Sequence, residues 1–298
     1  MKRVWVLGGL GFIGRHVCEA LVAVGHEVLA CTTRPAGNDS PFADRAGAGG
    51  ELLRVVHTPG YRGLAPGPED VCVHLAESNL AGAQGSALTE GIPYPGGEQV
   101  LRQVVEAGFA RVIYASSAAV YGDRVQGALT EDSPTEPASE YGRSKVRSEA
   151  FLRENAAATI LRLANTYGPG MSPRNVLSEV IEQARKGPVI HVNDASPVRD
   201  YIFVADVARA FAAAVSSDAS GVFNISTGIG TSVEDLAKLI GRLGGHPAPK
   251  VISRAAYEPS IPPSHVVLSS KLAADLLKWR ATTALADGLN LLQKEKGS

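Results

Sequence analysis

The chain has 298 residues, 45% of them hydrophobic, with 29 basic against 30 acidic side chains and a net charge of -1. That length and apolar content suffice for a large core, in one domain or two interleaved ones, and exclude a disordered chain. The balanced charge excludes the electrostatic footprint of a nucleic-acid or anionic-membrane binder, and no apolar run approaches the roughly 20 residues of a membrane span.

In chain order, the first strand is "VWVLG", followed by a helix from about Gly14 to Val24 and a second strand "EVLAC". Gly25 stands where a left-handed helix C-cap belongs, so the three segments read as one βαβ unit of about 30 residues. The apolar run behind the two basic residues near the start is broken by five glycines and passes into this patterned helix, which is not how a signal peptide reads. Further β-branched runs follow, "LLRVV", "VCVHLA", "RVIYASS" and "ATILRLAN", with helical patterns between them. Strands alternating with helices imply an α/β fold, a Rossmann-type doubly wound parallel sheet. Pro- and Gly-rich stretches at Pro35 to Gly50, Gly60 to Pro68 and Gly82 to Gly97 read as surface loops.

Beyond Asn165 the pattern changes to "YGPGMSPRN", a helix near Val176 to Lys186, a strand "PVIHV", and then "RDYIFVADVARAFAAAV", which reads as a return to the main body. The expected division is a dinucleotide-binding domain of residues 1–165 plus about 199–226, and a smaller, discontinuous C-terminal substrate lobe of about 166–198 plus 227–298. Such a lobe would cover the carboxyl edge of the sheet, where open α/β folds bind ligands. Cys18, Cys31 and Cys72 are odd in number, lack C-x-x-C spacing and lie in apolar stretches, which fits reduced, buried thiols in a cytoplasmic protein; no metal site is expected.

The stretch "GGLGFIG" between the first strand and its helix can be framed as Gly8-x-x-Gly11-x-x-Gly14 or as Gly9-x-Gly11-x-x-Gly14. In either frame, glycines let backbone N–H groups and the positive helix end approach a pyrophosphate, so the context predicts dinucleotide binding. An acidic residue at the end of the second strand would bind the ribose 2′-OH of NAD, but this strand ends Cys31, Thr32, Thr33, Arg34. Arg34 with Thr32 or Thr33 suits the extra 2′-phosphate of NADP instead, leaving NAD as the alternative.

Tyr141 and Lys145 are four apart on a predicted helix and so share a face. An ammonium near a phenol favours phenolate and suits the tyrosine for exchanging a proton with a substrate oxygen. Upstream, the strand "RVIYASS" ends in Ser116 and Ser117.

The glycine turn, "VHLAE" at 73–77, "YASSAAVYG" at 114–122, Tyr141-x-x-x-Lys145, "RLANTYGPG" at 162–170 and "RDYIFVADVARA" at 199–210 occur in that order. Together they resemble the extended short-chain dehydrogenase/reductase family, in its sugar-nucleotide epimerase, dehydratase and reductase branch. The resemblance covers nearly the whole chain and selects the Gly8, Gly11, Gly14 frame, with Gly9 as an accessory glycine.

The resemblance implies that Tyr141 transfers the proton, that Lys145 binds the nicotinamide ribose and lowers the phenol pKa, and that Ser117 hydrogen-bonds the reacting oxygen. It places Phe12 and Ile13 along the pyrophosphate, Leu75 and Ala76 against the cofactor, and Ala115 and Ser116 near the nicotinamide. Asn165 and Arg199 match positions that touch the substrate's nucleotide diphosphate, where a planar guanidinium pairs well with phosphate. Glu77 replaces a small residue and projects a charge toward the cofactor or substrate cleft. Ala118 and Ala119 stand where dehydratases of the branch carry an acid pair, which argues against dehydration. The other departures from the pattern are "VVHTPG" after the third strand, Pro93 in place of an asparagine, and "EPSIPPSH" without a late Arg-x-Gly-Asp.

The reading that follows is an NADPH-dependent reductase delivering hydride to C4 of a nucleotide-linked 4-keto-6-deoxyhexose, with Tyr141 as proton donor. The alternative is an NAD-dependent nucleotide-sugar 4-epimerase. A third reading is a catalytically idle nucleotide-binding protein that kept the fold. The resemblance also implies a homodimer formed through the helix that bears Tyr141 and Lys145 and its neighbour.

Overall fold

A computed structural model describes residues 1–33, 52–76, 97–123, 127–255 and 263–295. Seven strands form its main body: β1 (Arg3–Leu7), β2 (Glu27–Thr32), β3 (Leu53–His57), β4 (Val71–His74), β5 (Arg111–Ser117), β7 (Ala158–Leu163) and β11 (Gly221–Ile225). They make one sheet in the order β11-β7-β5-β4-β1-β2-β3, parallel throughout. The order reverses between β1 and β4, which makes the doubly wound sheet expected from the strand–helix alternation and places a crevice at its carboxyl edge.

A parallel sheet must be covered on both faces, and side-chain alternation along the strands supplies both. Val4 and Val6 of β1 pack with Val17 and Leu21 of α1 (Phe12–Ala23) and with Phe211 of α5 (Val204–Ser216). Leu7 turns the other way, into a core with Leu101 and Val104 of α2 (Gly97–Glu106) and Leu152 of α3 (Glu140–Asn155). Cys18, Cys31 and Cys72 are free thiols packed in these two cores. Burial pushes the Cys31 thiol up to about 12, so it behaves as an apolar side chain.

The remaining strands are β6 (Ala128–Leu129), β8 (Asn165–Tyr167), β9 (Val189–Val192), β10 (Val198–Phe203), β12 (Gly230–Ser232), β13 (Lys250–Ser253) and β14 (His265–Leu268). A second sheet runs β12-β10-β14-β6, with β8 alongside β10, and β9 pairs separately with β13. Between them lies a third core of Leu177, Val180 and Ile181 from α4 (Val176–Lys186) and Leu236 and Ile240 from α6 (Val233–Leu243). Leu289 and Leu292 of α8 (Leu285–Glu295) complete it, and the short α7 (Lys271–Leu276) packs beside β11 instead.

The sequence from residue 199 thus rejoins the main sheet later than its pattern suggests. Arg199 to Phe203 belong to β10 of the second sheet, and the return begins with α5. Residues 128–129, from the first half of the chain, also join the second sheet. No helix among the described residues is long and apolar enough to cross a membrane.

Candidate active site

The glycine turn is built around Gly8, which adopts φ +82 and whose N–H donates to the Cys31 carbonyl at 3.2 Å. A β-carbon on Gly14 would overlap the Gly8 carbonyl, 2.9 Å from its carbon. One on Gly11 would stand 3.1 Å from the same carbonyl's oxygen. Gly9 is more than accessory, because a β-carbon there would lie 2.9 Å from the Cα of Ala30. All four glycines therefore let the turn close onto β2 and α1. α1 begins at Phe12, two residues before the Gly14 boundary read from the pattern, because Gly11 is already the N-cap.

No side chain caps that helix start and no acidic residue lies in its first turn. The first N–H groups, those of Phe12 and Ile13 among them, are thus available to an anion, with the helix dipole behind them. This cradle, which β-carbons would fill, fits the pyrophosphate of a dinucleotide. Beside it Ala76 is buried and Leu75 half-buried, with the Leu75 N–H donating to the Leu7 carbonyl at 3.0 Å.

At the adenosine end, Thr32 is buried, and its carbonyl accepts the Thr58 N–H at 2.8 Å and the Thr58 hydroxyl at 3.4 Å. Arg34, Glu77 and Pro93 lie outside the described residues.

The reactive groups converge from β5 and α3. Ser139 caps α3, its hydroxyl accepting the Gly142 N–H at 3.1 Å, and this sets Tyr141 in the first helical turn. Lys145, one turn on, is buried; its Nζ donates to the Ala115 carbonyl at 2.7 Å and lies 5.6 Å from the centre of the Tyr141 ring. The sequence spacing therefore corresponds to a shared face that also reaches the end of β5.

Ser117 ends that strand half-buried and caps the 3-10 turn Ala118–Tyr121, its Oγ accepting the Ala119 N–H at 3.2 Å. Ala118 and Ala119 put no acid beside it. Ser116 turns the opposite way and donates to Glu149 Oε1 at 2.5 Å, which leaves only its backbone for a cofactor.

Asn165 on β8 is exposed. Arg199 lies on neighbouring β10, two residues before Tyr201, the register partner of Asn165. The Arg199 guanidinium donates to Asp123 Oδ1 at 3.1 Å, Val198 O at 2.9 Å and Ser264 O at 3.2 Å. A phosphate bound there must displace or share Asp123.

Three contributors escaped the sequence reading. Gly142 follows Tyr141, and a β-carbon on it would stand 2.5 Å from the Ala119 carbonyl oxygen, so only glycine lets α3 approach the turn after Ser117 this closely. Glu149 and Arg162 form a buried ion pair at 2.7 Å behind the site. A charged residue inside the apolar run "ILRLAN" was the available signal for Arg162, and the four-residue step from Lys145 was the signal for Glu149. A cleft of about 560 Å³ also opens at the start of α4, with Arg174, Asn175, His191 and Arg254 in its lining.

A profile of the NAD dependent epimerase/dehydratase family matches residues 4–226. A UDP-glucose 4-epimerase of Oryza sativa subsp. japonica is 30% identical over 94% of this chain and 86% of its own length. The structure of the Thermus thermophilus UDP-glucose 4-epimerase with NAD superimposes with a TM-score of 0.77 at 27% identity, covering 100% of both chains. The UDP-glucose complex of the Thermotoga maritima UDP-glucose 4-epimerase gives 0.74 at 26% identity, over 99% of this chain and 100% of that one. With the strand order, the glycine turn and the Tyr-x-x-x-Lys helix all in place, the chain belongs to the NAD dependent epimerase/dehydratase family and is an enzyme of the extended short-chain dehydrogenase/reductase type.

Proposed function

We propose that the protein is an NAD-dependent 4-epimerase of a nucleotide-linked hexose, with Tyr141, Lys145 and Ser117 as its catalytic residues. The carrying observation is the convergence of the Tyr141–Lys145 face of α3 with the Ser117 end of β5, in a chain whose relatives are UDP-glucose 4-epimerases. This reverses the sequence-based ranking, in which a 4-ketoreductase using NADPH came first. That ranking rested on Arg34 with Thr32 or Thr33. Thr32 is packed into the strand end, and the two structural neighbours named above hold NAD and UDP-glucose.

Gly8, Gly11, Phe12, Ile13 and Gly14 would hold the cofactor pyrophosphate, Leu75, Ala76 and Ala115 would line its path, and Lys145 would meet the nicotinamide ribose. When bound, NAD would supply the hydride-accepting and hydride-donating chemistry at the sugar's C4. Tyr141 Oη takes the proton of the C4 hydroxyl as that carbon is oxidised and returns it on reduction. The Ser117 hydroxyl donates to the same oxygen, and the Lys145 ammonium stands over the Tyr141 ring. Arg199 and Asn165 would receive the nucleotide diphosphate, with Arg174 and Arg254 supplying further positive charge in the cleft at the start of α4. The homodimer implied by the resemblance would form through α2 and α3.

The test is incubation with UDP-glucose, UDP-galactose and their N-acetylated forms, alongside 4-keto sugars with NADPH, and mass analysis of the cofactor released on denaturation. Expected are released NAD and interconversion of C4 epimers without net consumption of reduced cofactor. Tyr141→Phe should lower kcat by roughly 10²- to 10⁴-fold and keep the NAD content. Stoichiometric oxidation of NADPH by a 4-keto sugar, with no epimerisation, would restore the reductase reading.

A further inference from the structure

Behind the reactive face of α3 lies a charged network centred on a buried ion pair. The side chains of Glu149 and Arg162 are 1% and 4% exposed. Both carboxylate oxygens are fully engaged: Oε1 accepts Ser116 Oγ at 2.5 Å and Arg162 Nε at 2.9 Å, and Oε2 accepts Arg162 Nη2 and Arg153 Nη2, each at 2.7 Å. Arg162 Nη1 donates onward to the Tyr121 hydroxyl at 2.9 Å, and that hydroxyl donates to Asn224 Oδ1 at 2.7 Å.

Desolvating two charges costs as much as their attraction returns, and well-packed apolar residues often stabilise a core as well, so stability alone is a weak reason for such a pair. What an apolar pair cannot supply is direction.

The directions here bracket one residue. Ser116, held by Glu149, precedes Ser117; Tyr121, held by Arg162, closes the 3-10 turn that Ser117 caps. Glu149 also lies one turn beyond Lys145, whose Nζ holds the Ala115 carbonyl, so α3 grips the end of β5 at two successive residues. Tyr141 belongs to the helix and Ser117 to the strand. Their relative placement therefore depends on the bonds between those two elements.

We propose that Glu149 and Arg162 are positioning residues that align the Ser117 hydroxyl with the Tyr141 phenol: Glu149 holds Ser116 to α3, and Arg162 on β7, paired with Glu149, holds Tyr121 at the far end of the Ser117 turn. The inference rests on the assignment of Tyr141, Lys145 and Ser117 made above. Neither residue of the pair touches substrate; they act through Ser116 and Tyr121. Displacement of a reacting group by about 1 Å can cost on the order of 100-fold in rate.

The experiment compares wild type, the volume-preserving double variant Glu149→Met/Arg162→Met, and the single-bond deletions Ser116→Ala and Tyr121→Phe. Each is assayed for kcat, KM, NAD content, thermal midpoint and the deuterium isotope effect with C4-deuterated nucleotide sugar. Expected is a kcat lower by about 10- to 100-fold in the double variant and a smaller loss in each single variant, with KM and NAD content within about twofold of wild type. The isotope effect should rise, because the slowed step is the chemistry. A structural role would lower the folded fraction and leave the isotope effect unchanged. A folded double variant with wild-type kcat and isotope effect overturns the inference and leaves the epimerase reading standing. If the double variant does not fold, wild-type kinetics in both Ser116→Ala and Tyr121→Phe overturn it. Failure of wild type itself to convert any nucleotide sugar removes the functional reading, and this inference with it.

Discussion

At Gly14 a β-carbon would overlap the Gly8 carbonyl, at Gly9 it would press on the backbone of Ala30 at 2.9 Å, and at Gly11 it would meet only an oxygen at 3.1 Å. These contacts rank three single-methyl substitutions. Gly14→Ala should destabilise by more than about 3 kcal/mol or prevent folding, Gly9→Ala should cost on the order of 1–3 kcal/mol, and Gly11→Ala should be the mildest of the three. Urea denaturation of the three variants gives the order, and a Gly11→Ala protein less stable than Gly9→Ala would contradict it. Single residues were legible to the degree that their roles are local. Tyr141 and Lys145 share a helix face by spacing alone. The direction of Ser116, in contrast, depends on which face of β5 meets α3, and that is decided by residues far along the chain, Glu149 among them.

At the scale of elements, hydrophobic periodicity located the parallel strands, because the central ones are buried on both faces and read as continuous apolar runs. The pairing of the strands carries further chemistry. Asp70, just before β4, accepts Trp5 Nε1 at 2.8 Å and Arg3 Nε at 2.9 Å from β1, and the Gly67 N–H at 3.0 Å. Burial pushes the Asp70 carboxyl up, but the hydrogen bonds from Trp5, Arg3 and Gly67 outweigh it and hold the group below its ordinary value. A carboxylate with a depressed folded pKa stabilises fully above the unfolded value of about 3.9, and that contribution disappears as the pH falls through the lower folded value. Asp70→Asn should therefore lower the thermal midpoint at neutral pH and flatten its decline below about pH 4. Parallel acid limbs in wild type and variant would show that Asp70 does not drive the decline.

At the scale of the whole molecule, a few long-range bonds tie distant segments of the chain together. Asp206 in α5 is fully buried; its carboxylate accepts the Thr282 N–H at 3.1 Å and the Thr283 N–H at 3.0 Å and pairs with Arg209. Asp206→Ala would leave those donors without an acceptor, at a cost of about 3 kcal/mol, and should open the chain near Thr282 to limited proteolysis. An unchanged digestion pattern and urea midpoint would refute that role. Arg15 and His16 of α1 both engage the Pro169 carbonyl beyond β8, and Arg199 of β10 reaches Asp123. By itself the sequence determined the element order, the glycine turn, the Tyr141–Lys145 face and, through ordered motifs, the family. These are short-range patterns, set by helix and strand periods. Only the tertiary structure decided that β10 belongs to the second sheet, that Gly9 and Gly142 are sites of close backbone approach, and that Glu149 and Arg162 meet behind Ser117. Those facts depend on strand register and on which faces pack together, and no local period in a single chain encodes either.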